Sequence, residues 1–385
     1  MSSTMCPSPS STGYPNWRRI SADRDRSLAA CAMCAPSLVA AECQRLRSGA
    51  ARPPSTESVR LLSRCRMVGY GARRRRPTGV RHMDELRFDG RTVIVTGAGR
   101  GVGRAHALLF AARGAKVVVA DLGNQLDGSG ASSEPADEVA AEIRAAGGEA
   151  VATYGSVADA AAAAAIVDTA LDAFGRIDVV VNNAGIAEPD WFEDMTLERF
   201  RRMTDVHYLG TVNVTFAAWP HMIRAGYGRI VNTCSEAAFG IVPKGTAYAG
   251  GKGGVFGFTR GLANEGPRHG ILVNAVAPRA NTRLSAPAVL AHTYDVSEDL
   301  FGDTMAKFRP ELVSPAACFL AHESCRLNGE ILVSGGGQVF RVALVQNEGI
   351  TKDDLTPEDV AANLDTLTSL SDAQEIVAGT LTGDH

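Results

Sequence analysis

Short apolar runs and longer amphipathic stretches alternate along the chain from residue 83 onward. Seven runs are rich in β-branched residues, and most show no alternation of polar and apolar positions. Strands of that kind are covered on both faces, as in parallel sheets with helices on either side. The seven predicted strands are Thr92–Thr96, Lys116–Asp121, Ala150–Tyr154, Asp178–Asn182, Arg229–Thr233, Leu272–Ala277 and Glu330–Ser334.

The stretches between these runs have the length and composition of helices. Ala160–Ala165 is a run of six alanines, and alanine is the strongest helix former. Alternating strands and helices predict an α/β fold: a doubly wound, Rossmann-like parallel sheet of about seven strands in a single domain. The predicted helices are Val102–Arg113, Pro135–Ala146, Ala158–Phe174, Leu197–Ala225 and Ala247–His269.

Charge is distributed unevenly along the chain. The protein of 385 residues carries a formal net charge of −3, from 39 basic and 42 acidic residues. Residues 1–82 hold 15 arginines, no lysine and four acids, a balance of +11, which leaves −14 for the rest. We therefore expect a basic, disordered N-terminal extension (residues 1–82), a Rossmann-like domain (residues 83–340) and a C-terminal extension (residues 341–385).

The N-terminal extension allows several interpretations. A start codon assigned too early fits, because Met83 begins a sequence that reads as a complete domain. A targeting segment also fits the abundance of Arg and Ser. Arg73–Arg76 is a weak signal for nucleic acid, and we expect none to be bound. Cys31 and Cys34 have zinc-like spacing without a second ligand pair, so we expect no metal site.

A glycine-rich turn follows the first predicted strand. Gly97, Gly101 and Gly103 fall where that strand passes into the first helix, with Arg100 and Val102 between them. Glycines at such a turn let the backbone approach a pyrophosphate, which then rests on the amino end of the helix. The spacing differs from the usual G-x-G-x-x-G pattern, but its strand–turn–helix context predicts a dinucleotide site.

An acidic residue closes the second predicted strand. The carboxylate of Asp121 can accept hydrogen bonds from both ribose hydroxyls of an adenosine, and it would repel a 2′-phosphate. Arg100, inside the glycine turn, mildly favours a 2′-phosphate and therefore NADP. We give Asp121 more weight because of its position, and we predict NAD rather than NADP; the other interpretation of Asp121 is a helix cap or turn residue.

Three side chains suited to proton transfer follow the fifth predicted strand. Ser235 closes that strand, and Tyr248 and Lys252 lie four residues apart on the next predicted helix. That separation places the phenol and the ammonium on one helix face. A tyrosine, whose pKa is ordinarily about 10, needs a nearby cation to carry a proton near neutral pH.

These motifs occur together and in order, with Asn182-Asn183-Ala184-Gly185 at the end of the fourth strand. Over about residues 84–337 the chain resembles the short-chain dehydrogenase/reductase family. The resemblance implies reversible oxidation of a secondary alcohol to a ketone with a nicotinamide cofactor, and a homodimer or homotetramer. The glycines around Lys252, which disfavour an isolated helix, fit packing against a second subunit.

The resemblance also implies a role for each site residue. Tyr248 would be the general acid/base, Lys252 would lower its pKa and hold the nicotinamide ribose, and Ser235 would bind the substrate oxygen. The residues implied to contact the cofactor are Gly97, Arg100, Gly101, Val102, Gly103, Asp121, Ser156, Val157, Asn183, Ala184, Gly185, Tyr248, Lys252, Pro278 and Thr282.

Two positions depart from the family pattern. His207 stands where most members have a catalytic Asn. It could hold the same water or relay a proton, in which case its charge would vary near neutral pH, or it could be a packing histidine. Arg279 follows Pro278 where many members have glycine, in the loop that the resemblance places near the nicotinamide.

Several segments are similar to one branch of the family. Val206-His207-Tyr208, Ala218-Trp219-Pro220-His221-Met222 and His322-Glu323-Ser324-Cys325 resemble the (3R)-hydroxyacyl-CoA dehydrogenase domain of peroxisomal multifunctional enzymes type 2, also described as a 17β-hydroxysteroid dehydrogenase. The resemblance implies an NAD-dependent 3-hydroxyacyl-CoA dehydrogenase. The alternatives are a dehydrogenase of 17β-hydroxysteroids or other hydrophobic alcohols and a non-catalytic NAD-binding protein.

The substrate site must be formed by the loops after the fourth and sixth strands. We expect a mobile lid over the site between Leu284 and Pro310, and a second contribution from Ala187–Phe192. The candidate apolar lid residues are Phe301, Met305 and Phe308, which could equally form the apolar face of an ordinary amphipathic helix. The possible partners of an acyl-CoA phosphate are Arg279, Arg283 and Arg309.

The sequence also bears on the location of the protein. No run approaches 18 apolar residues, so no membrane span is expected. Cys234, Cys318 and Cys325 do not suggest a disulfide framework, and the chain ends in Gly-Asp-His rather than a peroxisomal Ser-Lys-Leu. We therefore expect a cytoplasmic protein.

Overall fold

The structure, a computed structural model, describes residues 85–301 and 305–378. The predictions for residues 1–82, including the Cys31/Cys34 pair and the arginine run, lie outside these residues. The described residues belong to one compact unit of the chain. Its division into a domain and a C-terminal extension at residue 340 stays a prediction.

The predicted strands form the centre of an eight-stranded sheet with the order β3-β2-β1-β4-β5-β6-β7-β8. Strands β1 to β7 run parallel, and the order reverses between β1 and β4. The strands are β1 Thr92–Thr96, β2 Lys116–Ala120, β3 Glu149–Thr153, β4 Val179–Asn182, β5 Gly228–Thr233, β6 Ile271–Pro278, β7 Ile331–Gly335 and β8 Gln338–Val342, and a separate antiparallel pair is formed by β9 Val345–Gln346 and β10 Gln374–Glu375.

Helices cover both faces of this sheet, as predicted. The helices are α1 Gly101–Ala112, α2 Glu134–Ala145, α3 Ala160–Phe174, α4 Leu197–Thr204, α5 Gly210–Ala225, α6 Thr246–Glu265, α7 Pro287–Tyr294, α8 Ser314–Ala321, α9 Pro357–Ala362 and α10 Leu364–Thr368. On β1, Val93 and Val95 pack in one core with α1, α2 and α8. Ile94, between them, points to the other face, where α3 and α5 pack. The fully buried strand therefore explains the absence of polar alternation.

The eighth strand was not predicted. The chain reverses after β7 through Gly336 and Gly337, both with positive φ, and β8 returns antiparallel to β7. Its residues are largely exposed, so it lacks the apolar signature of the inner strands. Beyond it, the guanidinium of Arg260 on α6 donates to the carbonyl of Ile376 at 2.5 Å, which ties the C-terminal residues to the domain.

The predicted helix Leu197–Ala225 is interrupted in the structure. Residues Asp205–Leu209 form a π-helical turn between α4 and α5. Such turns insert an extra residue into a helix and often occur at functional sites. Here the turn carries His207, whose side chain is buried.

Candidate active site

The glycine turn lies at the carboxyl end of the sheet, where the strand order reverses. Gly97 and Gly101 have positive φ, at 63° and 54°. A Cβ on Gly103 would lie 2.0 Å from the carbonyl oxygen of Gly97, so only glycine permits this close approach. Arg100, the residue that precedes α1, makes no side-chain cap to the helix. The first backbone amides of α1 therefore remain available to an anion in the cleft.

Asp121 lies one residue beyond β2, next to the glycine turn. Its two carboxylate oxygens accept the backbone N–H groups of Gly99 and Gly123, both at 2.7 Å. These bonds orient the carboxylate, and Asp121 lines the same cleft as the glycines. Val157, which also lines this end, is held by Asn213 through its carbonyl oxygen at 3.0 Å. Ser156 lies beside it.

Two asparagines connect strands at the point of reversal. The amide of Asn182 donates to Asn232 on β5, at 2.9 Å. The amide of Asn183 donates to the carbonyls of Thr96 and Gly97, at 3.0 and 3.1 Å. Asn183 therefore braces the glycine turn from the neighbouring strand. Ala184 and Gly185 continue the wall of the cleft.

The three predicted proton-transfer residues meet in this cleft. Ser235 follows β5, and its Oγ accepts the backbone N–H of Ala237 at 3.1 Å. Tyr248 and Lys252 project from α6 and line the cleft with it. The Nζ of Lys252 lies 5.8 Å from the centre of the Tyr248 ring and donates to the carbonyl of Thr233 at 2.6 Å.

Burial dominates the ionisation of this group. It raises the pKa of Tyr248 to about 12, although a hydrogen bond with Ser235 lowers it in part. It lowers the pKa of Lys252 to about 8. In this structure loss of hydration is the main cause of the Tyr248 shift. A lowering of the tyrosine pKa by Lys252 stays a prediction.

His207 packs against the ring of Tyr248. Its ring stands edge-on to Tyr248, with 4.9 Å between ring centres, and Nε2 lies 2.9 Å from the carbonyl oxygen of Ile186. Nδ1 is buried and has no hydrogen-bond partner in the structure. Burial, with the nearby Lys252 ammonium, lowers the pKa of His207 well below its ordinary value. A neutral ring buried against Tyr248 fits the packing interpretation of His207, and a role of this residue in catalysis stays a prediction.

The far half of the cleft is apolar and was only partly predicted. Four residues of α7 line it: Val289, Leu290, Thr293 and Tyr294. Ala187, as predicted, also lines the cleft, together with Ile186 and Met203. The signal in the sequence was the short apolar pattern from Pro287 to Tyr294, which the broader lid prediction contained but did not single out. The whole cleft has a volume of about 630 Å³.

The apolar residues predicted for the lid are placed elsewhere. Phe301 and Met305 are buried in the protein interior, and neither lines the cleft. Phe308 packs beside Gly336, at the turn into β8. In this structure the three side chains pack against other parts of the protein, and a mobile lid over the site stays a prediction.

The loop after β6 brings Pro278 and Thr282 to the cleft, as predicted. Thr282 packs against the glycine turn, since a Cβ on Gly101 would lie 3.2 Å from Cγ2 of Thr282. Arg279 instead forms a bidentate pair with Glu236, at 2.6 and 2.7 Å.

The remaining candidate arginines differ in position. Arg283 lines the cleft and donates to the carbonyl of Asn124 at 2.7 Å, so it connects this loop to the loop after β2. Arg309 is exposed and lies outside the cleft. The sequence offered Arg283 as a possible partner of a substrate phosphate and did not indicate its contact with Asn124.

Among residues 85–301 and 305–378, no group of three or more potential ligands is placed to hold a metal ion. Within the same residues, no helix is both long enough and apolar enough to cross a membrane.

A model of the short chain dehydrogenase family matches residues 91–287 of this chain. The chain belongs to the short-chain dehydrogenase/reductase family. It is therefore an oxidoreductase acting on CH–OH groups, in a family that uses NAD(P).

The chain is similar in sequence to two named proteins. The chain is 44% identical over 286 residues to a short-chain type dehydrogenase/reductase of Mycobacterium tuberculosis, covering 74% of this chain and 96% of that protein. It is 43% identical over 295 residues to the peroxisomal multifunctional enzyme type 2 of Mus musculus, covering 75% of this chain. The match spans only 38% of that longer enzyme. The predicted resemblance to this branch is confirmed.

A solved structure also bears on the cofactor. The fold is similar to that of a 7α-hydroxysteroid dehydrogenase complexed with NADH and 7-oxo glycochenodeoxycholic acid, with a TM-score of 0.57 and 30% identity. The similarity covers 66% of this chain and 95% of that one.

Proposed function

We propose that this protein is an NAD-dependent dehydrogenase of secondary alcohols and that its substrate is a 3-hydroxyacyl-CoA. The observation that carries the proposal is the meeting of Ser235, Tyr248 and Lys252 in one cleft with the glycine turn and Asp121. In the alternative, a non-catalytic binding protein, these three residues would have no chemical role. Their tyrosine and lysine are nevertheless buried, and burial shifts the pKa of each.

The residues around the cleft fit a nicotinamide dinucleotide, which would supply the hydride acceptor. The turn containing Gly97, Arg100, Gly101, Val102 and Gly103 would hold the pyrophosphate, because Arg100 does not cap the first amides of α1 and Gly103 lets the helix pack closely against the turn.

Other residues would hold the two ends of the dinucleotide. Asp121 would bind the adenosine ribose, between the adenine-side pair Ser156 and Val157 and the glycine turn. The residues assigned to the nicotinamide half are Asn183, Ala184, Gly185, Tyr248, Lys252, Pro278 and Thr282.

Proton transfer would take place at the phenol oxygen of Tyr248. Ser235 is oriented by the amide of Ala237, so its hydroxyl can donate to the substrate oxygen and hold it beside that phenol. Lys252 is fixed by the carbonyl of Thr233 and, when protonated, favours the phenolate. His207 stays neutral and supports the Tyr248 ring from behind.

The substrate class follows from the shape of the far half and from the relatives. An apolar wall of α7 residues suits an acyl chain, and a peroxisomal multifunctional enzyme type 2 is 43% identical over 295 residues. A hydrophobic sterol-like alcohol is the second candidate, because the hydroxysteroid dehydrogenase shares the fold at 30% identity.

A substrate panel on the full chain tests these assignments. We expect the reduced nicotinamide to form faster with a (3R)-hydroxyacyl-CoA than with its (3S) isomer or with a 17β-hydroxysteroid. With the same alcohol, the reaction should be faster with NAD than with NADP. Asp121→Ser should narrow the preference for NAD, since the carboxylate that repels a 2′-phosphate is removed. A faster reaction with the steroid or with NADP would overturn the corresponding part, and no reaction with any alcohol would favour a binding protein.

We also propose self-association through the outer face of α6. A Cβ on Gly253, Gly257 or Gly261 would meet nothing within 4 Å, so these glycines lie on an open face at intervals of one helical turn. Phe216, on α5, is 78% exposed. A second copy packed there would bury these residues. Gly257→Leu should shift the protein toward monomer in analytical ultracentrifugation, whereas a monomeric wild-type protein would refute the interface.

A further inference from the structure

Two residues outside the predicted catalytic group hold unusual backbone conformations and contact one another. In the described residues, only Lys244 and Asp295 combine a side chain with a clearly positive φ, at 55° and 53°. Residues other than glycine are rare in this region, and strained residues persist where the surrounding structure holds them. The Nζ of Lys244 lies 2.5 Å from a carboxylate oxygen of Asp295. The two strained positions are thus joined by an ion pair.

This pair connects the two walls of the substrate half of the cleft. Lys244 precedes α6 by two residues and Tyr248 by four, and it lines the cleft. Asp295 ends α7, whose Val289, Leu290 and Tyr294 line the opposite wall.

Lys244 makes a second contact at the same end of α7. Its Nζ donates to the carbonyl of His292 at 2.7 Å. A cation at the carboxyl end of a helix binds unpaired carbonyls and complements the helix dipole. The ammonium also lies 5.4 Å from the ring centre of Trp191. It is therefore held by one charge, one carbonyl and one aromatic face.

The neighbouring segment 188–190 is joined to both walls. The N–H of Asp190 donates to the carbonyl of Lys244 at 2.9 Å. The Nε2 of His292 lies 3.1 Å from the carbonyl oxygen of Pro189. Three segments that line or border the substrate half therefore meet around Lys244.

We propose that Lys244 is a positioning residue for the alcohol substrate, because its ammonium holds the carboxyl end of α7 against the start of the helix that carries Tyr248. In this arrangement α7 keeps its apolar side chains over the substrate, and the reacting carbon is held at a fixed distance from the catalytic phenol. The inference rests on the proposed function for the identity of the substrate, but the contact itself does not.

The two partners differ in burial, and this decides which substitution is the cleaner probe. The Lys244 side chain is 4% exposed, whereas that of Asp295 is 61% exposed. Removing the carboxylate would leave a buried ammonium with one carbonyl, which destabilises the fold. Removing the ammonium leaves a carboxylate that water can solvate. Lys244→Met is therefore the main variant, and Lys244→Gly relieves the strain at the same position while also removing the contact.

The experiment compares Lys244→Met, Lys244→Gly and Lys244→Arg with wild type. For Met and Gly we expect the KM of the alcohol to rise about tenfold, with kcat changed less than about threefold and the Kd of NADH unchanged. Hydrogen exchange at residues 287–295 should become faster in both. Arg keeps the charge and the donors, so it should restore most of the KM. Lys307→Met, an exposed lysine of the following loop, is the matched control and should change none of these quantities.

An unchanged KM together with unchanged exchange in α7 would overturn the proposal. So would a parallel loss of kcat, KM and NADH affinity, since that pattern indicates general damage to the fold. If wild-type protein oxidised no alcohol, the proposed function would fail separately, and the exchange comparison would still decide whether Lys244 holds α7.

Discussion

Buried charged groups at the two ends of the sheet have different kinds of partner. At the amino end of β4, Asp178 is 1% exposed and accepts hydrogen bonds from Arg91, Arg176 and the N–H of Thr92, at 2.7 to 2.9 Å. At the carboxyl end of β5, Lys252 is 3% exposed and its ammonium is bound by the carbonyl of Thr233. The first charge is paired with two cations, whereas the second is hydrogen-bonded to a backbone carbonyl and lies near the Tyr248 ring.

In this comparison Asp178 belongs to an ion-pair cluster, whereas Lys252 belongs to the group that we propose transfers the proton. A carboxylate bound by two arginines suits a structural role. Lys252 and Tyr248 are buried, and burial favours the neutral form of each. It lowers the pKa of the lysine and raises the pKa of the tyrosine. Uncompensated ionisable groups in a cleft are typical of active sites. The comparison predicts that substitutions at Tyr248 or Lys252 change activity, whereas substitutions at Asp178 change stability.

The largest effect is expected for Tyr248→Phe. Removing the phenol oxygen should lower kcat by about 10³-fold, or about 4 kcal/mol in the transition state. The Kd of NADH should stay within about twofold, because the ring remains in place. Steady-state kinetics and NADH fluorescence measure the two quantities. Tyr154→Phe is the control, since its hydroxyl binds Asp137 outside the cleft; equal kcat for Tyr248→Phe and wild type would contradict the assignment.

The second effect is expected at the amino end. Asp178→Ala leaves two arginines and a backbone amide without their shared acceptor, and should lower the free energy of unfolding by about 3 kcal/mol. The kcat of the folded protein should remain that of wild type. Urea unfolding monitors the change, with the exposed Asp172→Ala as the comparison. A loss of kcat without a loss of stability would show that the two ends are not separate.

A third prediction concerns pH. His106 is fully buried, with Nδ1 2.9 Å from Ser314, and burial lowers its pKa to about 4. As pH falls below 6.5, the unfolded chain binds a proton that the folded protein does not, so stability decreases until about pH 4. His106→Gln should remove about 2 kcal/mol of this decrease between pH 6.5 and 4.5.

Unfolding curves of His106→Gln at several pH values, each compared with wild type, measure this slope. His207 shifts in the same direction, so part of the acid sensitivity should persist in the variant. An unchanged slope would mean that His106 takes up its proton in the folded protein.

The smallest effect is expected for a pair on the surface. Arg104 on α1 contacts Glu142 on α2 at 2.6 Å, and both side chains are substantially exposed. Arg104→Ala should lower the free energy of unfolding by less than about 1 kcal/mol, and 1 M salt should reduce even that. A loss as large as that of Asp178→Ala would show that burial is not what distinguishes the two ion pairs.

Much of the fold was predictable because it depends on local patterns. The strands β1 to β7 agree with the apolar runs to within one or two residues, and the glycine turn sits between β1 and α1 as expected. The four-residue spacing of Tyr248 and Lys252 was enough to place both on one face of α6. The pattern of a buried parallel strand or of a helix face extends over only a few consecutive residues. These elements can therefore be predicted without knowing which other elements they pack against.

Features that depend on distant contacts were missed or misassigned. The exposed strand β8 pairs only because β7 offers its edge, and the π-helical turn at Asp205–Leu209 places His207 against residues from two other segments. Lys244 and Asp295 are 51 positions apart, and nothing in the intervening residues indicates their contact. Local periodicity is carried by near neighbours, whereas burial, pKa and ion pairing depend on which remote side chains exclude water from a group. The amino-acid order therefore predicts the elements and the chemical groups, and only their packing decides the protonation states and the walls of the cleft.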